Sequence, residues 1–189
     1  MTKTALIPIA DGSEDIEAVS LIDVLRRAEV EVTVASVMDD REITASRGTA
    51  IVADALISDC KDRPYDLIAL PGGMPGAEHL RDCEPLIEKL KEQRNLGRLY
   101  GAICASPAVV LLPHNLLSGR RATCFPSFRA QLDAATDVEA SDDRVVVDST
   151  LVTSQGPGTA IEFALRLVTL LFEDEAKAQE IRERMLVAR

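Results

Sequence analysis

Apolar and polar positions along this chain follow a pattern typical of strands and helices that succeed one another. Apolar runs predict buried strands at 5–10, 65–70 and 99–104, and a further strand is predicted at 31–37. Apolar residues at helical spacing predict helices between them, at 14–27 and 85–94. Strands that alternate with helices predict βαβ units. We therefore expect a single α/β domain over residues 1–189, with a mostly parallel sheet.

Three details of the pattern are specific enough to be checked one by one. Pro8 interrupts the first strand and favours an irregular or edge position, because proline donates no backbone hydrogen bond. Ile16 and Val19 stand at the spacing of a helix face that packs on a core. The apolar segments 144–147 and 151–153 flank a polar turn, which predicts a hairpin.

Ligands of parallel α/β sheets bind beyond the carboxyl ends of the strands, which directs attention to three places in this sequence. The first two are the loops at 11–17 and 71–76, each of which follows a predicted strand. The third is Cys104, where a buried strand turns at once into a predicted helix. We expect these three segments to meet at one edge of the sheet.

Cys104 is the candidate nucleophile. The unpaired N–H groups and the dipole of the helix that begins there favour negative charge, and hence the reactive thiolate. The strand-to-helix corner also predicts a positive φ at Cys104 and a lowered thiol pKa. The alternative is a buried structural cysteine, which is how we interpret Cys60 and Cys83 in their polar, loop-like contexts.

Two neighbouring segments supply groups that a cysteine nucleophile needs. Pro71-Gly72-Gly73 ends a strand without side-chain bulk, so its N–H groups can act as oxyanion donors, although two glycines taken alone are better explained by a tight strand-to-helix turn. Glu14 and Asp15 fall in a first helical turn, where acids stabilise the helix dipole. Glu17 lies on the side where the helix meets the sheet. Beside a thiolate its carboxyl is pushed toward the protonated form and can serve as general acid or base.

Composition and charge exclude several classes of protein. The formal net charge of -10 argues against binding to nucleic-acid phosphates or to an anionic membrane surface, and the chain has no tryptophan. No apolar run approaches the roughly 20 residues of a membrane span, and the N-terminus lacks the pattern of a signal peptide. The sequence contains neither a nucleotide-binding glycine motif nor zinc-ligand spacing, so we expect no cofactor and no metal. We expect a cytoplasmic protein.

Four ordered motifs make the chain resemble the ThiJ/PfpI superfamily, in the branch of the parkinsonism-associated deglycase and bacterial YajL. They are Gly12-Ser13-Glu14-Asp15-Ile16-Glu17, Leu70-Pro71-Gly72-Gly73, Ala102-Ile103-Cys104-Ala105-Ser106-Pro107 and Thr153-Ser154-Gln155-Gly156-Pro157-Gly158-Thr159. The last motif is especially close to YajL. The resemblance runs from about Thr4 to about Lys177.

The resemblance implies a flavodoxin-like three-layer sandwich and a homodimer. It implies Cys104 as nucleophile and oxidation sensor, with Glu17 as its protonated hydrogen-bond partner. It places oxyanion donors at Gly73 and Ala105. Two arginines match family positions, but an exposed basic residue explains each equally well. They are Arg47, near the cysteine, and Arg27, which in the family reaches the partner subunit's site.

Two departures from related branches bear on the chemistry. Ala105 stands where the protease-like branch has a histidine, so a cysteine-histidine dyad is absent from the motif. Phe125 stands where the human-type branch has a histidine beside the site, and the neighbouring Cys124 belongs to the same motif. His79 and His114 are better explained as surface or helix-end residues. A Cys-His-Asp hydrolase is therefore poorly supported.

Two functions remain open from the sequence. The first is a glyoxalase- or deglycase-type enzyme in which Cys104 attacks methylglyoxal, glyoxal or an early glycated adduct, with Glu17 moving protons. The second is a non-enzymatic redox-sensing protective protein or chaperone, in which Cys104 is oxidised and helix N–H groups stabilise the product. Consumption of methylglyoxal by the pure protein without glutathione distinguishes the two.

Overall fold

The computed structural model describes residues 2–188, and its elements alternate as the sequence pattern predicts. The strands are β1 Thr4–Ile9, β2 Glu31–Ser36, β3 Glu42–Thr44, β4 Ala50–Val52, β5 Ala55–Leu56, β6 Leu67–Leu70, β7 Leu99–Ile103, β8 Arg120–Ala122, β9 Val138–Ala140, β10 Val145–Asp148 and β11 Leu151–Ser154. The α-helices are α1 Asp15–Arg27, α2 Gly76–Asp82, α3 Glu84–Asn95, α4 Arg129–Ala134, α5 Ala160–Phe172 and α6 Glu175–Arg184. A π-helical turn, Pro107–Leu111, follows β7.

Seven strands form the central sheet in the order β10-β11-β7-β6-β1-β2-β5. All neighbours in it are parallel except β10 and β11, which form the predicted antiparallel hairpin. The sheet is therefore mostly parallel, as the sequence predicts, and helices flank it in a mixed α/β architecture of the flavodoxin-like type. Two small two-stranded sheets, β3-β4 and β8-β9, stand outside it.

The strand order places a topological switch between β1 and β6. From β1 the chain crosses through α1 to β2 on one side, whereas from β6 it crosses through α2 and α3 to β7 on the other. Because such crossovers are right-handed, opposite directions put their helices on opposite faces of the sheet. The loops after β1 and β6 thus border one crevice, where α/β folds bind ligands.

Two details of the sequence pattern are wrong. Pro8 lies in β1, which pairs with strands on both sides; the ladder to β6 ends at Leu6, so Pro8 interrupts no hydrogen bond on that side. Ile16 and Val19 are 56% and 50% exposed, because α1 turns Ala18, Leu21 and its later apolar residues to the core instead. Among residues 2–188, no helix combines the length and the apolar character needed to cross a membrane.

The core beneath β7 depends on a glycine. A side chain at Gly101 would lie 3.1 Å from the Phe163 ring, so the missing side chain lets α5 pack directly on β7. Phe163 and Tyr100 are the largest fully buried side chains, and the Tyr100 hydroxyl donates to the Leu116 carbonyl at 2.9 Å. The strand that ends at Cys104 is therefore supported by tight packing along its length.

Candidate active site

Cys104 occupies a strained corner directly after β7. Its φ is 65°, a left-handed value that costs about 1–3 kcal/mol in a residue other than glycine. Two backbone hydrogen bonds hold the corner: the Cys104 N–H donates to the Ser154 carbonyl at 2.9 Å, and the Cys104 carbonyl accepts from the Phe125 N–H at 2.7 Å. The strained conformation expected from the strand-to-helix turn is confirmed.

Cys104 is almost fully buried, and its thiol faces backbone donors. They are the N–H groups of Gly73 and Ala105, both expected as oxyanion donors, and each lowers the pKa of the thiol. Gly72 makes this approach possible, since a Cβ there would lie 2.6 Å from the Cys104 Cβ. Only glycine fits between the β6 loop and the cysteine, which explains the first glycine of the Pro71-Gly72-Gly73 turn.

The loops after β1 and β6 are pressed together above the crevice. Gly73 has a φ of 86°, and a Cβ there would lie 2.4 Å from the Gly12 carbonyl oxygen. The Glu14 N–H donates to the Gly72 carbonyl at 3.0 Å, which links the start of α1 to the β6 loop. Glu14 also caps α1, since its carboxylate accepts from the Glu17 N–H at 2.9 Å. These contacts bring Glu17 to the cysteine.

Glu17 is fully buried on the first turn of α1 and faces Cys104. The Gly72 N–H donates to its Oε2 at 2.7 Å. Its Oε1 is buried and, among residues 2–188, has no partner with full hydrogen-bond geometry; the Cys104 thiol is the polar side chain within reach of the carboxyl. The fold thus brings the Glu17 carboxyl close to the Cys104 thiol.

Burial controls the acidity of this pair. Burial raises the pKa of Glu17 to about 7, and the nearby Glu14 charge acts in the same direction. The contacts with Gly72 and Cys104 act in the opposite direction and lower the pKa. Burial also raises the pKa of Cys104 to about 12, followed by the negative charge of Glu17. The expectation that the helix start lowers the thiol pKa is therefore wrong while Glu17 is ionised. The two N–H donors lower the pKa by less than burial and the neighbouring carboxylate raise it. When Glu17 is protonated, that carboxylate charge is absent.

Arg47 lies in an exposed loop that is tied to the start of α1. Its backbone N–H donates to the Asp15 Oδ2 at 2.9 Å, and the Ser46 hydroxyl donates to the same oxygen at 3.2 Å. Asp15 thus does more than complement the helix dipole, because it anchors the loop that carries Arg47. The partners are separated by about thirty positions, so sequence spacing contains no signal for this contact.

The sequence pattern also did not predict the hydroxyl groups that hold the strand ends around Cys104 in place. The Ser106 hydroxyl donates to the Pro71 carbonyl at 2.6 Å and so joins the two strand ends. The Ser154 and Thr159 hydroxyls bond each other at 2.6 Å, which orders the turn after β11. Both belong to motifs that were recognised, but their roles depend on which strands are neighbours in the sheet.

Residues 3–170 match the model of the DJ-1/PfpI family. The chain belongs to the DJ-1/PfpI family. It is 48% identical over 178 residues to the Arabidopsis thaliana protein DJ-1 homolog B, covering 94% of this chain but only 40% of that relative's length.

Two further relatives match over most of both chains. The Caenorhabditis elegans protein named glutathione-independent glyoxalase DJR-1.2 is 38% identical over 170 residues, covering 89% of each chain. The solved structure of Toxoplasma gondii DJ-1 in oxidised form is 47% identical, covers 100% of each chain and superposes with a TM-score of 0.95. The family and its fold, expected from the sequence motifs, are confirmed.

Three residues considered for this DJ-1/PfpI site lie elsewhere or have other partners. Arg27 forms an ion pair with Asp23 at 2.6 Å. Arg27 lies ten residues after Glu17, which corresponds to about 15 Å along α1. The fold does not bring it to the cysteine of its own chain. The His114 ring bonds the Arg81 carbonyl at 2.9 Å, which fits a structural histidine. Burial raises the pKa of Cys124 to about 11, and its thiol lies 3.5 Å from the Phe125 carbonyl.

Proposed function

We propose that this DJ-1/PfpI chain is a cysteine-dependent enzyme of the glyoxalase or deglycase type. Its substrates are methylglyoxal, glyoxal or the early adducts that they form on thiols and amines. The observation that carries the proposal is the buried Glu17 carboxyl facing Cys104, with a pKa raised to about 7. A group that gains and loses a proton near neutrality is suited to general acid-base catalysis. The name of the nematode relative, a glutathione-independent glyoxalase, agrees with this reaction class.

The first step is attack of the Cys104 thiolate on the aldehyde carbon. A carbon-sulfur bond forms, and the electron pair of the carbonyl moves to oxygen. The N–H groups of Gly73 and Ala105, which face the sulfur, stabilise that oxygen as its negative charge develops. Protonation of the oxygen completes a hemithioacetal on Cys104.

Glu17 then moves hydrogen between the two carbons of the bound substrate. Its carboxylate removes the proton from the former aldehyde carbon, and its carboxylic acid returns a proton to the neighbouring carbon. The first carbon is thereby oxidised to a thioester, while the second is reduced to an alcohol. Water hydrolyses the thioester, releases a hydroxy acid and restores the thiol. The atoms balance with one water added and without an external oxidant or reductant.

A homodimer is part of the proposal. Ile16 and Val19 remain largely exposed on α1, close to the Glu17 end of the helix. A two-fold contact that paired α1 with its copy would cover them both, because a two-fold interface uses the same patch twice. In such an assembly Arg27 would act on the site of the partner subunit. The cytoplasmic location expected from the sequence stays a prediction.

A second function has its own observation. Two N–H donors surround the Cys104 sulfur, so they would equally stabilise the oxygens of a sulfenic or sulfinic acid. The Toxoplasma relative was solved in an oxidised form. A redox-sensing protective protein or chaperone therefore remains the alternative to the enzyme.

Methylglyoxal consumption without glutathione tests the proposal. The wild type is expected to consume many equivalents and to produce lactate in equal amount, whereas Cys104→Ser loses nearly all turnover. Serine there has no neighbouring base comparable to a histidine. Cys124→Ser, a buried cysteine outside the pair, is the matched control and retains turnover. Reaction of about one equivalent per Cys104 followed by arrest would support the sensing alternative instead.

A further inference from the structure

Phe125 is held beside the reactive cysteine by its own backbone. Its N–H donates to the Cys104 carbonyl at 2.7 Å, and its carbonyl accepts from the Phe128 N–H at 2.9 Å. Both polar groups of the residue are thus occupied, one of them by the cysteine corner itself. The starting point of the Phe125 side chain is fixed relative to Cys104.

The Phe125 ring rests on a glycine of the neighbouring strand end. A Cβ at Gly156 would lie 3.1 Å from the ring Cδ2, so the ring occupies the space that a side chain there would fill. Gly156 is rigid, since its N–H donates to the Thr159 hydroxyl at 3.1 Å and its carbonyl accepts from the Thr159 N–H at 2.8 Å. It lies two residues beyond Ser154, whose carbonyl binds the Cys104 N–H.

The ring is nevertheless not buried. Phe125 is 38% exposed, although its backbone is hydrogen-bonded and its ring lies against Gly156. Gly156 lies against one edge of the ring at Cδ2 and Cε2, and the Phe125 backbone adjoins Cys104, so the exposed ring belongs to the same end of the sheet as the cysteine. A rigid apolar surface at this place offers no donor or acceptor to a bound molecule.

We propose that Phe125, seated on Gly156, is the specificity-determining residue of the Cys104 site. It forms an apolar wall that favours oxoaldehydes and adducts with an apolar substituent next to the aldehyde carbon. A polar substituent pressed against the ring would lose its water without gaining a hydrogen bond. This inference rests on the proposed function for its natural substrates, but the wall itself can be tested independently.

The turnover of oxoaldehydes with increasingly apolar substituents tests the proposed role of Phe125 in specificity. For glyoxal, methylglyoxal and phenylglyoxal, the wild type is expected to show kcat/KM rising with the apolar substituent. One methyl group against an apolar surface is worth about tenfold or more. Phe125→Ala should reduce the methylglyoxal-to-glyoxal ratio by about that factor. Phe172→Ala is the matched control, since that ring lies at the end of α5 against Lys177.

A second measurement needs no turnover. The alkylation rates of Cys104 by N-phenylmaleimide and by unsubstituted maleimide, each divided by the rate with free cysteine, report the environment of the sulfur. The wild type should prefer the phenyl reagent. Phe125→Ala should abolish the preference, while Phe125→Leu retains part of it. Gly156→Ala should weaken it by displacing the ring.

The outcomes separate this inference from the proposed function. A wild type without methylglyoxal turnover, but with a phenyl preference that depends on Phe125, overturns the function and supports the wall. Turnover with substituent and reagent ratios unchanged in Phe125→Ala overturns the wall and leaves the function standing. Equal changes in Phe172→Ala would also overturn it, since they would show that the effect does not come from the site.

Discussion

The Gly72 N–H donates to Glu17 Oε2 at 2.7 Å and thereby holds the buried carboxyl beside Cys104. One backbone group on the β6 loop thus orients a side chain from α1 against a side chain at the end of β7. The same glycine has no room for a Cβ because Cys104 occupies that space. Gly72 therefore affects both the protonation of the Glu17–Cys104 pair, through its N–H, and the packing of the β6 loop on Cys104, through its missing side chain.

The raised pKa of Glu17 predicts a specific dependence of stability on pH. The carboxyl has an ordinary pKa of 4.5 and a folded pKa of about 7, so between these values the folded chain holds a proton that the unfolded chain has lost. The stabilisation is complete below about pH 4.5 and is lost as the pH rises through about 7, to the extent of about 3 kcal/mol. Glu17→Gln has no proton to lose, so its stability relative to the wild type should rise over this interval.

Urea unfolding at several pH values measures this difference. Glu88→Gln, which removes an exposed carboxyl of α3, controls for the loss of a charge. A constant difference between wild type and Glu17→Gln from pH 4 to pH 8 would contradict the raised pKa.

The location of the proton within the pair is a second prediction. The sulfur faces two N–H donors, and a protonated Glu17 would supply a third. We therefore expect the single proton that the pair loses near pH 7 to leave partly from the sulfur, so that a fraction of the molecules carries a thiolate beside a protonated Glu17. The rate of Cys104 alkylation by iodoacetamide should therefore rise through about pH 7 in the wild type. Glu17→Ala removes the third donor and should shift the profile to higher pH. A wild-type rate that rises only toward pH 12 would place the charge on the carboxylate instead.

Gly72→Ala tests the close approach directly. The added methyl group would stand 2.6 Å from the Cys104 Cβ and 2.9 Å from the Ala105 nitrogen, so the β6 loop must shift. We expect a loss of about 1–3 kcal/mol in stability and a large loss of turnover. Gly158→Ala is the matched control, because no atom lies within 4 Å of the added group. Its stability should stay within about 0.5 kcal/mol of the wild type. Equal effects at the two glycines would argue against a special role for Gly72.

Glu17→Gln should separate attack from proton transfer. The amide preserves the size of the side chain but cannot exchange a proton, so Cys104 should still attack methylglyoxal while the later hydrogen shift fails. Intact-protein mass spectrometry is expected to show a covalent adduct on Cys104 that persists in the variant and turns over in the wild type. Normal turnover by Glu17→Gln would remove Glu17 from the mechanism.

The exposed residues of α1 predict the assembly. Sedimentation of the wild type should give a species of twice the 20.5 kDa chain mass at micromolar concentration. Val19→Glu places a charge in the proposed contact and should yield monomers, whereas Leu96→Glu changes an equally exposed residue after α3 and should not. A monomeric wild type would reject the homodimer.

Local patterns in the sequence predict this fold well, because each strand and helix carries its own signal. The strained backbone at Cys104 is a local property of a strand that turns into a helix, and it was predicted correctly. The thiol pKa is not local. It depends on burial beneath Gly72 and on a carboxyl 87 positions earlier in the chain, and neither follows from the helix start alone.

The sequence pattern also failed to predict which apolar side chains of α1 face the core. Ile16 and Val19 fit a helical face, but α1 uses Ala18 and Leu21 against the core and leaves the first pair outside. Periodicity identifies that a helix has an apolar side, but the neighbouring elements determine which residues they cover. The prediction for Pro8 failed for the same reason. An inner strand can accommodate this proline because the ladder between β1 and β6 ends before it, and the sequence pattern does not show where that ladder ends.

The corner at Cys104 draws on distant parts of the chain, and this has a consequence for biosynthesis. Its carboxyl partner lies at position 17, its close neighbour at position 72 and the acceptor of its N–H at position 154. A nascent polypeptide that has emerged only as far as β7 therefore contains the thiol, Glu17 and Gly72, but it lacks β11 and the Ser154 carbonyl that holds the Cys104 corner. Because pairings between distant segments form late, the special reactivity of Cys104 arises only when the sheet is complete. The reactivity of this one sulfur thus reports whether the whole domain has folded.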